Sequence, residues 1–324
     1  MRAFLQDAYG PPDVLRCADV EPPVVGDADV LVRVRAAGVD PGVWHLITGR
    51  PYVLRLTGFG LRAPKVKVRG MDVAGVVEAV GPKVTRFRPG DEVFGTCRGA
   101  FAEYACAAED RLAAKPANLD FEQAAVVAVS GYAALQALRD AGRVRSGQTV
   151  LVVGAAGGIG TYAVGLSKVF GARVTGVCGT GKADLVHSLG ADEVIDYTRE
   201  DFTDGTRHWD LIVDTAGHRR LTDLRRALTP RGTLVLVGSE TGGRWLGGTD
   251  RTLRAVLLSP FVGHRLRGLV STERPNDLRF LRETIESGRL TPVLDRAFPF
   301  AETPEAVRYI HAGHARGKVV VTIP

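Results

Sequence analysis

The stretch QTVLVVGAAGGIG, residues 148–160, decides how the rest of the chain is read. Residues 150–153 are a short apolar run, a glycine cluster follows at once, and a helical pattern follows that. Strand, glycine turn and helix start is the order in which a dinucleotide site is built. N–H groups at the helix N-terminus bind the pyrophosphate, and residues without bulk let it approach. Gly154, Gly157 and Gly160 fall at three-residue spacing, and the usual G-x-G-x-x-G reads A-x-G-x-x-G across Ala155, Gly157 and Gly160. Ala155, Ala156, Gly157, Gly158 and Ile159 are therefore candidate cofactor-binding residues. The turn alone is unspecific, and the β-α units around it give it weight.

Those units follow in order. Strand patterns at residues 173–178, 194–196, 209–214 and 232–238 alternate with helical ones at 159–170, 182–189 and 222–228. This alternation predicts an α/β fold, a doubly wound parallel sheet with helices on both faces, and residues 266–270 suit a last strand. Upstream the texture differs. Val30, Val32 and Val34 alternate with Leu31, Arg33 and Arg35, and residues 72–80 read as a strand with Gly75 marking a bulge or a close backbone approach. Many short strands punctuated by turns suggest a small, partly closed β-barrel over residues 1–121. Residues 121–138 are alanine-rich and suit one or two helices with a break near Ser130-Gly131. The tail, residues 271–324, leaves the alternation and is expected to fold back on the barrel. The expected domains are 1–121, 122–270 and the returning 271–324.

Composition sets the outer limits. A chain of 324 residues, 45% apolar and 24% charged, has material for about two ordinary domains. The net charge of +6 is scattered, with no basic run and no aromatic–basic interleaving, so a nucleic-acid partner is not expected. No apolar run reaches the ~18 residues that cross a bilayer, so no membrane partner is expected either. Cys17, Cys97, Cys106 and Cys178 form no C-x-x-C pair and no zinc-cluster spacing, and the N-terminal residues contain no signal-like apolar segment. A reducing, cytoplasmic location is expected.

The second strand speaks to cofactor choice. An NAD site places an acid about 20 residues on, against the ribose 2′-OH. Here the strand ends Val177-Cys178-Gly179-Thr180-Gly181-Lys182, a hydroxyl and an ammonium with no carboxylate. A 2′-phosphate is favoured by such groups, and the expected cofactor is NADPH.

Residues 36–39 (AAGV), 70–81 (GMDVAGVVEAVG), 90–95 (GDEVFG), 99–104 (GAFAEY), 154–160, 189–197 (LGADEVIDY) and 317–320 (GKVV) together resemble the medium-chain dehydrogenase/reductase superfamily, in its zinc-independent quinone oxidoreductase branch. The resemblance implies a Rossmann domain inserted in a GroES-like catalytic domain, with the cofactor in the cleft between them. It implies that Lys182 and Tyr197, with Thr180 beside them, hold the adenosine 2′-phosphate. It also implies that Ala216, Gly217, Val237, Gly238 and Ser239 line the nicotinamide side, and that Arg316 brings a basic tail residue to the cofactor. Family members commonly pair through an edge strand, placed here near residues 233–237, so a homodimer is expected.

Zinc-dependent relatives carry a cysteine shortly after the Gly-Val of the third strand and a Gly-His-Glu further on. This chain has Gly38-Val39-Asp40 and Gly70-Met71-Asp72, so no metal site is expected. His45 is read as a packing or surface residue. Without a Lewis acid, alcohol oxidation loses its alkoxide stabiliser, whereas reduction of an electron-poor acceptor is mostly positioning. The expected reaction is hydride transfer from NADPH to a small quinone or an α,β-unsaturated carbonyl compound. Tyr52 is the candidate donor to the carbonyl oxygen. Asp40 stands where the branch usually has asparagine, and an ionised carboxylate there repels a developing oxyanion unless its surroundings neutralise it. Ala133 replaces a common threonine. Two other readings stand beside this one: an enoyl reductase acting on a CoA- or carrier-bound substrate, with a basic groove of Arg50, Arg55, Arg62, Lys65 and Lys67, and an NADPH-binding sensor with little turnover.

Overall fold

At the amino end, β1 (Arg2–Gln6) and β2 (Leu15–Asp19) pair antiparallel and lead into β3 (Asp29–Val39), whose Val30, Val32 and Val34 are fully buried. The computed structural model describes residues 1–238 and 243–324. α1 (Pro41–Thr48) follows β3, then β4 (Asp72–Val80), β5 (Glu92–Thr96), β6 (Tyr104–Ala108), β7 (Leu112–Ala114) and α2 (Phe121–Ala124). β3 pairs with β6 along its first half and with β15 (Lys318–Thr322) along its second, in a seven-stranded sheet that runs β14 (Leu294–Pro299), β15, β3, β4, β5, β7 with β6 off this path against β3. Gly75 permits a close approach within this sheet. A Cβ there would lie 2.2 Å from the Arg33 carbonyl, and the β3–β4 register shifts between Val34 and Ala36.

Residues 1–129, 273–288 and 292–324 form one compact unit, and residues 130–272 with 289–291 form the other. The first unit is completed by α8 (Pro275–Glu286), β14 (Leu294–Pro299), α9 (Thr303–His311) and β15. Its core joins Phe4, Val32, Phe101 and Ile47 to Phe298, Phe300 and Val319, so the tail is integral to the barrel.

The expected break at Ser130-Gly131 lies earlier. α2 begins on an Asp120 capping box and ends at Ala124, and α3 (Ala128–Gln136) runs through Ser130 and Gly131. Nearly all of α3 is buried, and packing outweighs the roughly 1 kcal/mol helix cost of a glycine.

The second unit holds β8 (Thr149–Val153), α4 (Gly158–Val169), β9 (Arg173–Cys178), α5 (Ala183–Ser188), β10 (Glu193–Asp196), β11 (Trp209–Asp214), α6 (Leu221–Arg226), β12 (Leu228–Leu236), α7 (Thr249–Leu258) and β13 (Arg265–Gly268). Its six strands are parallel in the order β10-β9-β8-β11-β12-β13, the doubly wound nucleotide-binding arrangement. The region expected to pair between subunits, residues 233–237, is therefore interior. β12 is flanked by β11 and β13, and β13 is the edge. Among the described residues no helix is long and apolar enough to cross a membrane.

Candidate active site

The glycine loop is fastened at both ends. Gly154 takes a left-handed φ of 82°, and the N–H groups of Gly154 and Ala155 both donate to the Val177 carbonyl, at 3.1 and 3.0 Å. α4 starts at Gly158 with Gly157 as its cap and no capping side chain, so its first-turn N–H groups are left for an anion. A Cβ on Gly160 would lie 2.0 Å from the Gly154 carbonyl, so the helix sits directly on the loop. Ala155 and Ala156 are buried, while Gly157, Gly158 and Ile159 stay half-buried at the mouth. This backbone suits a dinucleotide pyrophosphate.

Beside the loop, Asp214 ends β11 fully buried. Its Oδ1 accepts the N–H groups of Ala216 (3.2 Å) and Gly217 (3.0 Å), and its Oδ2 is held by Arg251 of α7 at 2.5 Å. The Val237 N–H donates to the Asp214 carbonyl at 3.0 Å, and a Cβ on Gly238 would lie 3.0 Å from the Thr215 carbonyl. Thr215 in turn donates its hydroxyl to the Val153 carbonyl at 2.8 Å. Ala216, Gly217, Val237 and Gly238 thus gather next to Gly154 at the carboxyl ends of the strands. Ser239 lies outside the described residues. Arg251 had no signal in the sequence, where residues 249–258 show no motif; it is one of two arginines on α7.

Past the end of β9 stands a carboxylate that the strand itself does not carry. β10 runs in register with β9, Asp196 opposite Cys178, and the Thr180 hydroxyl donates to the Asp196 carboxylate. A carboxylate therefore does stand at the end of the second strand, supplied by its neighbour. The hydrogen bond from Thr180, then that from Thr198 at 2.7 Å, hold the Asp196 carboxyl below its usual range. Arg199 adds a guanidinium 3.5 Å away. Lys182 caps α5, and Tyr197 is exposed with its hydroxyl 3.6 Å from where a Gly179 Cβ would be. The carboxylate was findable, since it immediately precedes Tyr197, but only strand register brings it to Thr180.

In the first unit three strand ends converge. Asp40 follows β3 and caps α1, Lys318 opens β15, and Asp72 opens β4. Register forces this, with Val319 opposite Val39 and Val73 opposite Ala37. The Lys318 ammonium donates to Asp40 and, at 3.3 Å, to Asp72. The Val129 N–H donates to the other Asp72 oxygen at 2.8 Å. Side-chain exposure is 1% for Lys318, 0% for Asp72 and 11% for Asp40. Burial pushes the Asp72 carboxyl up to about 8; the Lys318 charge opposes this and the Asp40 charge reinforces it. Burial lowers the Lys318 ammonium, but the two carboxylates more than offset this and leave it above its usual range. Gly38 admits the arrangement, because a Cβ there would lie 2.7 Å from the Asp72 Cβ. Asp40 is thus no isolated carboxylate.

The donor set at these positions does not fit zinc. Asp40, Met71 and Asp72 include no thiolate or imidazole, and an ammonium already lies between the two carboxylates. Among the described residues no group of His, Cys, Asp and Glu is placed to hold a metal. His45 turns a ring nitrogen to the Arg50 carbonyl at 2.9 Å.

Tyr52 is half-buried under Arg55, whose guanidinium lies 4.8 Å from its ring and 4.3 Å from that of Tyr9. Arg55 also donates to the Gly49 carbonyl at 2.8 Å, and Lys67 pairs with Asp7 at 3.1 Å. Two of the five cations of the expected basic groove are therefore committed elsewhere. Arg316 is exposed on the turn before β15, and Ala133 is buried within α3. A cavity of about 190 Å³ beside Thr149, Arg173 and Trp209 lies at the amino ends of β8, β9 and β11, the wrong end of the sheet for a cofactor.

Residues 26–117 match the family model described as alcohol dehydrogenase GroES-like domain, and residues 189–321 match that described as zinc-binding dehydrogenase. The chain is 34% identical to the 2-methylene-furan-3-one reductase of Solanum lycopersicum, over 99% of this chain and 79% of that one. It is 30% identical to the human quinone oxidoreductase, over 100% and 98%. The solved quinone oxidoreductase from Coxiella burnetii superposes with a TM-score of 0.88 at 28% identity, covering 100% and 99%. A mycobacterial protein solved in complex with NADPH superposes with a TM-score of 0.84 at 27% identity, covering 100% of both.

Proposed function

The chain belongs to the medium-chain dehydrogenase/reductase superfamily, and from that membership we propose that it is a zinc-independent reductase using NADPH to reduce a quinone or an α,β-unsaturated carbonyl compound. The observation that carries the chemistry is the Lys318 ammonium between Asp40 and Asp72. It neutralises Asp40, a carboxylate that would otherwise oppose an oxyanion, in the stretch where zinc-dependent relatives carry a cysteine ligand. The match to the zinc-binding dehydrogenase model covers residues 189–321 and so none of Asp40, Met71 and Asp72.

Bound NADPH supplies the hydride. The chain's own residues bind and orient. The α4 N-terminus with Ala155, Ala156, Gly157, Gly158 and Ile159 takes the pyrophosphate. Ala216, Gly217, Val237 and Gly238 line the nicotinamide, and Arg316 lends positive charge. Tyr52 donates a hydrogen bond to the acceptor oxygen, and Asp40 stands on that side with its charge offset by Lys318. NADPH over NADH is supported by Lys182, Tyr197 and Arg199 and opposed by Asp196. The enoyl reductase reading on a CoA-bound substrate is weakened because Arg55 and Lys67 are engaged within the fold.

A homodimer is supported by the free edge of β13 and by Leu253, Val256, Leu257 and Phe261, which are exposed beside it. Light scattering on the intact chain tests it, and a monomer at micromolar concentration removes it. A cytoplasmic location suits four unpaired thiols. NADPH oxidation with a panel of quinones and enones tests the reaction. Oxidation with neither class defeats it, and equal Kd values for NADH and NADPH defeat the cofactor preference.

A further inference from the structure

Asp40, Lys318 and Asp72 are brought together from three stretches of sequence, and only Asp40 keeps measurable exposure. Two carboxyl groups face one ammonium, so the fully ionised cluster carries an uncompensated negative charge in a buried place. Such a charge is costly, and one shared proton removes it. Lys318 comes from β15, the Val129 N–H from α3, and the Cys97 thiol follows β5; that thiol is pushed up chiefly by burial and further by the Asp72 charge. Both carboxyls contact the same ammonium, and the Asp40 charge helps to raise the Asp72 carboxyl.

We propose that Asp40 and Asp72 share a single proton over the Lys318 ammonium, and that this buried pair stores the proton delivered through Asp40 to the reduced acceptor. The delivery part rests on the reductase reading above. Hydride brings two electrons to the acceptor carbon, and the single shared proton passes from Asp72 to Asp40 across the Lys318 ammonium that both carboxyls contact, and from the Asp40 carboxyl to the resulting oxyanion or enolate. Delivery leaves both carboxylates ionised against Lys318. Solvent then returns one proton to the pair through Asp40, the member that reaches it. Lys318 and Asp72 are positioning residues, and Asp40 is the group that meets substrate. The raised Asp72 carboxyl, at about 8, agrees with a proton held at neutral pH.

Two measurements on the intact chain test this. Carbon-13 spectra of aspartate-labelled protein, titrated from pH 5 to 10 without cofactor, are expected to show one carboxyl step in the neutral-to-alkaline range. Asp72→Asn and Asp40→Asn should each remove it, so one folded variant suffices. If every aspartate titrates below about pH 5, the shared proton does not exist. Steady-state NADPH oxidation then reads the delivery. Wild type should hold kcat to about pH 8 and lose it above. Asp72→Asn should lower kcat about 10²-fold with KM little changed and abolish that alkaline limb. An Asp72→Asn protein with wild-type kcat and pH profile overturns the store. If wild type reduces no acceptor while the carboxyl step is present, the reductase reading and the delivery fall together and the shared proton stands.

Discussion

Each unit holds a cluster of carboxylate and basic groups, Asp40 and Asp72 with Lys318 in one and Asp196 with Arg199 in the other, and the two clusters obey opposite physics. Around Asp72 no side chain of the cluster exceeds 11% exposure, and each charge depends on its partner. Around Asp196 the neighbours are open: Arg199 is 74% exposed, and Tyr197 and Thr198 are exposed too. Solvent screens that cluster, so its charges can select a ligand without holding up the fold. The first cluster is closed to solvent on nearly every side, whereas the second opens to it through Arg199 and Thr198.

The sharpest way to break this contrast is Lys318→Met. It should destabilise the protein by roughly 3–5 kcal/mol in urea unfolding, because two buried carboxylates lose their counter-charge. A loss under about 1 kcal/mol would mean that the triad behaves like a surface pair.

The pH dependence of stability is the next test. Asp72 is raised from 3.8 to about 8, so between those values the folded chain keeps a proton that the unfolded chain has released. Its contribution is full below about pH 4 and is lost as pH rises through about 8. The Tm of wild type should therefore fall between pH 6 and 9 relative to Asp72→Asn, and parallel Tm curves for the two proteins sink the assignment.

Gly160→Ala forces a Cβ to 2.0 Å from the Gly154 carbonyl. An overpacking cost of about 1–3 kcal/mol is expected, with loss of NADPH fluorescence enhancement. Unchanged enhancement would separate the loop from the cofactor.

The smallest effects belong to the exposed cluster. Lys182→Ala should raise the NADPH Kd about tenfold and leave that of NADH nearly unchanged. Asp196→Asn should tighten NADPH about threefold with the unfolding midpoint unmoved. A shift of that midpoint comparable with the Lys318→Met effect would erase the distinction between the clusters.

Some of this was legible in the chain itself. Apolar runs, glycines and their alternation with helical patterns announce β8, the loop and α4. Those features are local, because a strand, a tight turn and a helix start draw on neighbouring residues. The near-continuous burial of α3 was not legible, and the Ser130-Gly131 break expected from local signals yields to tertiary packing. The edge of the parallel sheet likewise depends on β13 joining after β12, which local pattern cannot order.

The site divides along the same line. Sequence by itself determined the glycine loop, the parallel α/β unit with its β-strand partner unit, and the absence of thiolate and imidazole at positions 40 and 71. Each follows from what a residue is or lacks. Tertiary structure alone decided that Asp196 reaches Thr180 across two parallel strands, and that Lys318, 278 residues beyond Asp40, lies between it and Asp72. Charge interactions depend on distance and on the water left between the groups, and both quantities come into being only when the strands pair and the core closes.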